Sequence, residues 1–175
     1  GAAGSIGVGR VARAQPDGYT LSVGHWSTHV VNGAIYPLQY DLLRDFDPVI
    51  LLPSNPMIVV SKNAVPATTL KELVAWIKAN DGKVSAGTAG AGSGTHIAGV
   101  YFQKVTGANV AFVPYRGTGP ALQDLVAGQI DLIVDQVSNS IQHVRSGKIR
   151  AYAVTAKARL PSAPDVPTAL EAGFD

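Results

Sequence analysis

Short apolar runs alternate with segments of helical periodicity along most of this chain, and this alternation restricts the possible folds more than any other feature. Seven runs have the pattern of strands; they lie at 19–24, 49–53, 57–61, 84–88, 110–114, 131–135 and 150–155. The segments between most of them are helical. Strands separated by single helices predict an α/β fold, with a parallel sheet that carries helices on its faces.

The strongest helix prediction covers residues 69–80. Its apolar residues recur at i, i+3, i+4 and i+7: Leu70, Leu73, Val74 and Ile77. Thr69 and Glu72 have the spacing of a capping box at its start. A second helix is predicted to begin near Thr95, a third to carry Pro120 in its first turn, and a short fourth to lie at 166–172.

The predicted elements are distributed unevenly along the chain. Residues 61–155 contain a nearly complete set of strand–helix units, whereas the stretch before them supplies two strands and the stretch after them one short helix. We therefore expect one lobe, 58–155, inserted into a second, incomplete lobe made of 1–57 and 156–175. Crossings at 52–57 and 152–156 would form a two-stranded hinge beside a cleft that opens and closes. The chain is accordingly expected to be a fragment.

Composition excludes several classes of protein. The chain has 175 residues of which 46% are apolar, which is typical of a globular protein with a sizeable core. Its net charge of +2 comes from scattered residues, so nucleic acid is not an expected partner. It has no cysteine, and no apolar run approaches the roughly 18 residues of a membrane span.

The glycine-rich stretch VSAGTAGAGSGTH, residues 84–96, leaves a predicted strand and enters a predicted helix. Glycines at the carboxyl end of a parallel strand let backbone amides approach a ligand, and the helix N-terminus favours an anion. Gly94 is followed by Thr95 and His96 rather than by lysine, so the nucleotide-binding P-loop pattern fails. The G-x-G-x-x-A match at 7–12 follows no strand and is interpreted as a chance match within a helix.

Three further strand-to-helix corners are predicted to converge on the same cleft. The corner at 113–120 offers Arg116, with Thr118 or Gly119 as a helix cap; the corner at 134–136 offers a carboxylate and an amide; the corner at 24–29 offers hydroxyls and histidines. Each of these residues can also be explained by a role in the fold alone, without a ligand. Ser93, Thr95 and Thr118 fit helix caps, Asp135 fits an N-cap, and Arg116 fits a solvated surface arginine.

Metal binding and catalysis have weak support in this pattern. His25, His29 and His96 lack the regular spacing of metal ligands, so no metal or cofactor is expected. Ser27 with His25 or His29 is the only serine–histidine neighbourhood that deserves a test, and it has no obvious orienting acid.

Six groups of residues carry a family resemblance over essentially the whole chain. They are GAAGSIG at 1–7, PDGYTL at 16–21, DFDPV at 45–49, AGTAG at 86–90 leading to HIAG at 96–99, VPYRG at 113–117 with PAL at 120–122, and AVT at 153–155 followed by PDVPT at 164–168. In their order and spacing the chain resembles the Bug-type substrate-binding receptors of bacterial tripartite tricarboxylate transporters.

The resemblance implies a fold of the periplasmic-binding-protein type II class, in which two lobes of parallel or mixed sheet close about a hinge. It implies a receptor outside the cytoplasm, in the periplasm, that captures a small organic acid and delivers it to membrane transporter subunits without catalysis or cofactor. The residues expected to face the ligand are Ser27, Thr28, His29, Thr88, Gly92, Ser93, Thr95, Tyr115, Arg116, Gly117, Thr118 and Asp135.

The chain also departs from the family pattern. By the resemblance, this sequence is expected to be a fragment without the family's first strand-to-helix loop, its signal peptide and its C-terminal segment. His25 and Trp26 stand where small residues are more usual, which favours a solute with a ring or a bulkier chain. Two alternatives stay open at this point: an esterase-like hydrolase centred on Ser27 and His29, and the ligand-sensing domain of a transcriptional regulator with a DNA-binding head.

Overall fold

The computed structural model describes residues 2–174 of the chain. Its strands are β1 (Met57–Lys62), β2 (Ser85–Thr88), β3 (Ala111–Pro114), β4 (Leu132–Gln136) and β5 (Ile149–Val154). Its α-helices are α1 (Ser5–Ala12), α2 (Asn32–Ile35), α3 (Leu70–Ala79), α4 (Gly94–Thr106), α5 (Thr118–Val126) and α6 (Val137–Arg145). A 3-10 turn at Ala2–Gly4 precedes α1, and π-type turns at Ser27–Val31 lead directly into α2.

The five strands form one mixed sheet in the order β3-β2-β4-β1-β5. Strand β2 runs parallel to β3 and β4, whereas β1 runs antiparallel to both of its neighbours, β4 and β5. The parallel arrangement expected from the strand–helix alternation therefore holds for β2, β3, β4 and β5 but not for β1, and the mixed sheet agrees with the fold class that the resemblance implies. Apolar periodicity identifies a strand but not its direction, so the reversal leaves no signal in the sequence.

Alternate side chains of the strands enter two separate cores, one on each face of the sheet. On β1, Met57 and Val59 face the core that α3 and α4 cover, while Ile58 and Val60 face the core that α5 and α6 cover. Strands β1 and β4 are buried on both faces, which explains their near-continuous apolar sequences. Each face of the sheet thus has its own core, and Ala163 and Val166, which follow β5, belong to the second of them.

Helix α3 confirms the capping prediction in detail. Thr69 accepts a hydrogen bond from the Glu72 amide, and the Glu72 carboxylate accepts from the backbone of Thr68 and Thr69. The predicted helix at 166–172 is wrong, since this segment forms turns. Thr168 and Glu171 begin a helical turn, but Gly173 takes a left-handed φ of 84° and closes it after one turn.

The predicted strands at 19–24 and 49–53 are also wrong, because these residues pair with no strand in the described part of the chain. Their apolar side chains are exposed, Tyr19 to 93% and Leu51 to 96%. Alternating apolar residues favour an extended backbone, but a strand forms only where a neighbour supplies the other half of the ladder.

The two predicted crossings lie side by side. The Met57 amide donates to Thr155 Oγ1 at 2.9 Å, and the Thr155 amide donates to the Met57 carbonyl at the same distance. The segment before β1 also contacts the start of α6, where the Val137 amide donates to Pro56 and Asn55 bonds Ser138. The chain therefore enters and leaves the sheet at neighbouring points.

Candidate ligand-binding cleft

The carboxyl ends of β2, β3 and β4 lie at one edge of the sheet because these three strands run in the same direction. Each of them is followed directly by a loop or a helix N-terminus. The Tyr115 amide donates to the Thr88 carbonyl at 2.9 Å, so the corners after β2 and β3 are in contact. The structure thus brings together the three corners that the sequence places at strand ends.

The hydroxyl groups of the β2–α4 loop bond within the loop itself. Thr95 Oγ1 accepts from the Ala89 amide at 2.7 Å and lies 3.0 Å from Ser93 Oγ. Ser93 is the N-cap of α4 and accepts from the His96 amide. Thr88, Ser93 and Thr95 are all buried. These side chains shape the loop, and the cap interpretation of Ser93 is confirmed.

The first two amides of α4, by contrast, have no hydrogen-bond acceptor in the described part of the chain, and they are the open amides of this site. The N–H groups of Gly94 and Thr95 have no acceptor among residues 2–174. They lie in the first turn of a 13-residue helix, where the backbone dipole favours a negative charge. This edge of the sheet can therefore bind an anion through main-chain donors.

The corner after β3 differs from its prediction in one detail. Gly117, with φ 118°, is the N-cap of α5, so the expected cap at Thr118 or Gly119 is wrong. A glycine occupies this position because an L-residue rarely adopts such a φ. Thr118 is the first residue of the helix, and Arg116 beside it is exposed with no ion pair in the described part of the chain.

Tyr115 is held in place by a hydrogen bond from its hydroxyl to Asp124 Oδ2 at 2.7 Å. Burial, together with the adjacent carboxylate, raises the pKa of Tyr115 to about 12. The phenol therefore stays protonated at neutral pH and continues to donate to Asp124.

Asp135 is the predicted site residue that the structure turns away from the cleft. It is 0% exposed, and its carboxylate accepts hydrogen bonds from Ser140 Oγ at 2.6 Å and Asn139 Nδ2 at 3.1 Å. Burial raises its pKa above the ordinary value. The N-cap prediction is also wrong, because Gln136 occupies that position in α6. The carboxylate instead bonds side chains of the first turn.

The segment that carries Ser27, Thr28 and His29 lies across the same edge of the sheet. His25 anchors it: its Nε2 lies 2.7 Å from Gln136 Nε2, and its Nδ1 lies 3.0 Å from Ser27 Oγ. A Cβ built on Gly94 would lie 3.3 Å from His25 Cε1, so the imidazole packs directly on the start of α4. His25 is thus in contact with both β4 and α4.

The two other residues of this segment bond each other. Thr28 Oγ1 lies 2.8 Å from His29 Nδ1 and donates to the His25 carbonyl. His29 packs edge-on against Phe46 and lines a separate cavity of about 510 Å³. The structure therefore brings Ser27 to the cleft edge through His25, while His29 faces the ring cluster behind it.

The Ser27–His25 pair is not a catalytic triad. The second nitrogen of His25 is bonded to the Gln136 amide, and no carboxylate in the described part of the chain bonds either histidine of the segment. Ser27 is also only 6% exposed. Without a carboxylate to stabilise a developing imidazolium, the geometry that activates a serine is missing.

Sequence reasoning covered this site only in part. The Gln136 amide was noted at the 134–136 corner, but it was not among the residues expected to face the ligand. Tyr36 was missed, because the sequence carries no signal for it: its hydroxyl donates to the Ala91 carbonyl at 2.9 Å across a separation of 55 positions. Only the three-dimensional fold brings Tyr36 to the glycine loop.

Among the described residues, no group of three or more His, Asp and Glu side chains could hold a metal ion. The helices of residues 2–174 are all too short or too polar to cross a bilayer.

We expect the neutral form of His25 to contribute stability in a defined pH window. Burial lowers the pKa of His25 below 6.5, so the folded chain binds this proton more weakly than the unfolded chain. The contribution is complete above about pH 6.5 and is lost as the pH falls through the lowered pKa. In urea unfolding between pH 7.5 and 5, the stability difference between wild type and His25→Gln should change with pH in this sense.

The control for this prediction is His143→Gln, because the His143 ring makes no hydrogen bond within residues 2–174. A wild-type-minus-H25Q difference that stays constant over the whole pH range contradicts the prediction.

Comparison with solved structures defines the class of protein to which this fold and cleft belong. The chain is similar to the periplasmic binding protein BugD, with 39% identity and a TM-score of 0.91. It is equally similar to MatC from Rhodopseudomonas palustris with bound malate, with 39% identity and a TM-score of 0.90. Both matches cover 99% of this chain, and 58% and 60% of the respective neighbours. The fold is that of periplasmic binding proteins, as predicted.

The family described as the tripartite tricarboxylate transporter family receptor, TctC, matches residues 1–175, and the chain belongs to it. A relative from Agrobacterium vitis, the UPF0065 protein in the TAR-I ttuE-ttuC' intergenic region, is 41% identical over 99% of this chain. The match covers 50% of that relative, so the chain spans about half its length. The family is one of receptors, which is the predicted non-enzymatic class and not that of the esterase or regulator alternatives.

Proposed function

We propose that the protein captures a small carboxylated solute between the segment 25–36 and the corners that follow β2, β3 and β4. In this proposal it acts in the periplasm and delivers the solute to a tripartite tricarboxylate-type membrane transporter. The observation that carries the proposal is the pair of open amides, Gly94 and Thr95, at the carboxyl edge of the sheet. His25, which bonds Gln136, packs beside them.

Main-chain donors can supply enough binding free energy for this task. A hydrogen bond to a charged group contributes roughly 1.5–3 kcal/mol, and a helix N-terminus adds about 0.3–1 kcal/mol. Four or five such contacts approach the ~8 kcal/mol of micromolar affinity. The costs of ordering the ligand and closing the cleft reduce the sum of these contributions. The site therefore requires no lysine, and the exposed Arg116 can add to it from the rim.

Capture also requires that the cleft open. We propose that residues 1–57 with 156–175 belong to one lobe and residues 58–155 to the other. The hinge would lie at the two crossings, 52–57 and 152–156. The paired amides and oxygens of Met57 and Thr155 support this proposal, because two adjacent crossings allow rotation about a single line.

The chemistry of the solute follows from the donors. Carboxylates match both the open amides and the positive end of the α4 dipole. The similar protein MatC is described with bound malate, and a dicarboxylate of that size is therefore the first candidate here. Trp26, which packs beside His25 with ring centroids 5.3 Å apart, supplies an apolar wall for a longer or aromatic acid.

A calorimetric comparison of acids with their esters tests this function. We expect at least one of malate, citrate, benzoate and glutamate to bind with micromolar affinity at pH 7. Its methyl ester should bind at least ~100-fold more weakly, since two charge-assisted hydrogen bonds at roughly 1.5–3 kcal/mol each are lost. Equal affinity for acid and ester, or no binding to any carboxylate, contradicts the proposal.

A further inference from the structure

One peptide unit of the glycine loop has both of its polar atoms bonded to side chains. The Ala91 carbonyl accepts from Tyr36 Oη at 2.9 Å, and the Gly92 amide donates to His96 Nδ1 at 3.2 Å. Tyr36 follows α2 and His96 lies in the first turn of α4. The peptide between Ala91 and Gly92 is therefore fixed from two independent elements.

The packing around this peptide is tight. A Cβ built on Gly92 would lie 2.7 Å from Tyr36 Oη and 3.3 Å from two of its ring carbons. The His96 ring is itself held edge-on against Phe112, with centroids 4.9 Å apart. His96 thus reaches the peptide from a position that its contact with Phe112 holds, and Tyr36 packs directly on Gly92.

The consequence concerns the direction in which the loop enters α4. Gly92 has a φ of 73°, a conformation that glycine adopts easily and also leaves easily. Without hydrogen bonds from outside the loop, the Ala91–Gly92 peptide can rotate, and its rotation changes the direction of the residues that follow. The open amides of Gly94 and Thr95 lie only two and three positions further along the chain.

We propose that Tyr36 and His96 are positioning residues that clamp the Ala91–Gly92 peptide and thereby orient the open amides of the anion site. The effect of this clamp on affinity rests on the proposed function, whereas its effect on the conformation of the loop does not. The clamp lowers the cost of binding because the donors are already ordered in the free protein.

The first test is Tyr36→Phe, which removes the hydroxyl and keeps the ring. Amide hydrogen exchange at Gly92 should become about two- to tenfold faster in the ligand-free protein, the factor expected for one net hydrogen bond. The dissociation constant for a bound carboxylate should rise by a similar factor. The matched control is Tyr101→Phe on α4, whose hydroxyl makes no hydrogen bond within residues 2–174 and which should match wild type in both measurements.

The second test uses the acceptor at position 96. His96→Asn keeps an acceptor near Nδ1 and should retain part of the protection at Gly92, whereas His96→Ala should lose it. If both side chains act through one peptide, the effects of Y36F and H96A should be less than additive. If the Gly92 amide exchanges at the wild-type rate in both Y36F and H96A, the proposed clamp is contradicted. If wild type binds no carboxylate, the proposed function fails, and the exchange measurements still decide the clamp.

Discussion

Gly92→Val is expected to abolish solute binding, whereas Gly82→Val leaves it intact. The two glycines have nearly the same backbone conformation, with φ 73° and 72°, so both valines carry the left-handed penalty of about 1–2 kcal/mol. They differ in their surroundings. A Cβ on Gly82 meets nothing within 4 Å, while one on Gly92 collides with Tyr36 Oη at 2.7 Å. Only the valine at 92 must displace either the Tyr36 side chain, which bonds the Ala91 carbonyl, or the glycine loop itself.

Two measurements on the same preparations separate loop from fold. Urea unfolding should show a destabilisation in both variants, larger in G92V, and circular dichroism should show retained helix content. Calorimetry should then detect carboxylate binding by G82V and none by G92V. Wild-type affinity in G92V would mean that the loop after β2 does not contact the solute.

Asp135→Ala is expected to destabilise the fold, with solute affinity unchanged within about twofold. The substitution leaves the buried Ser140 hydroxyl without its acceptor, and an unsatisfied buried donor costs roughly 1–3 kcal/mol. Because the carboxylate is 0% exposed, it cannot contact a solute in the conformation described. Denaturant unfolding and calorimetry report the two properties separately.

The neighbouring Gln136→Ala should show the reverse pattern. Its amide bonds His25 above the open edge of the sheet, and the loss of one such hydrogen bond corresponds to about two- to tenfold in affinity. The free energy of unfolding should change less than in Asp135→Ala, because Gln136 is only half-buried. An Asp135→Ala variant that folds with wild-type stability but loses its ligand would reverse the assignment of these two residues.

Sequence reasoning succeeded where local patterns determine the structure. The capping box at Thr69 and the apolar face of α3 are local features, and both are confirmed. The strand-to-helix corners at Thr88 and Arg116 were located for the same reason. Local patterns carry no strand direction, however, and the antiparallel β1 was missed. The exposed runs at 19–24 and 49–53 have the pattern of strands but no partner in the described residues.

The cleft was less predictable than the sheet because its contacts are long-range. Its strand-end loops follow from topology, yet the burial of Asp135 and the arrival of Tyr36 at the glycine loop depend on packing between distant segments. The hydroxyls of Ser93 and Thr95 were expected to face the ligand, and in the structure they form hydrogen bonds within the loop itself. The donors left unpaired among the described residues are backbone amides of the kind that the glycine-rich stretch 84–96 predicted, but the sequence does not indicate which of these amides lack an acceptor.

The long-range origin of the cleft affects the order in which the protein acquires its properties. His25 and Gln136 are 111 positions apart, whereas most residues of the two cores lie within 57–154. Distant pairs form only after the entropy of closing the intervening chain has been offset. The sheet can therefore assemble before the segment that carries His25 covers its edge. A protein with full secondary structure can therefore still lack a formed binding site, and solute binding is the stricter test of the native state.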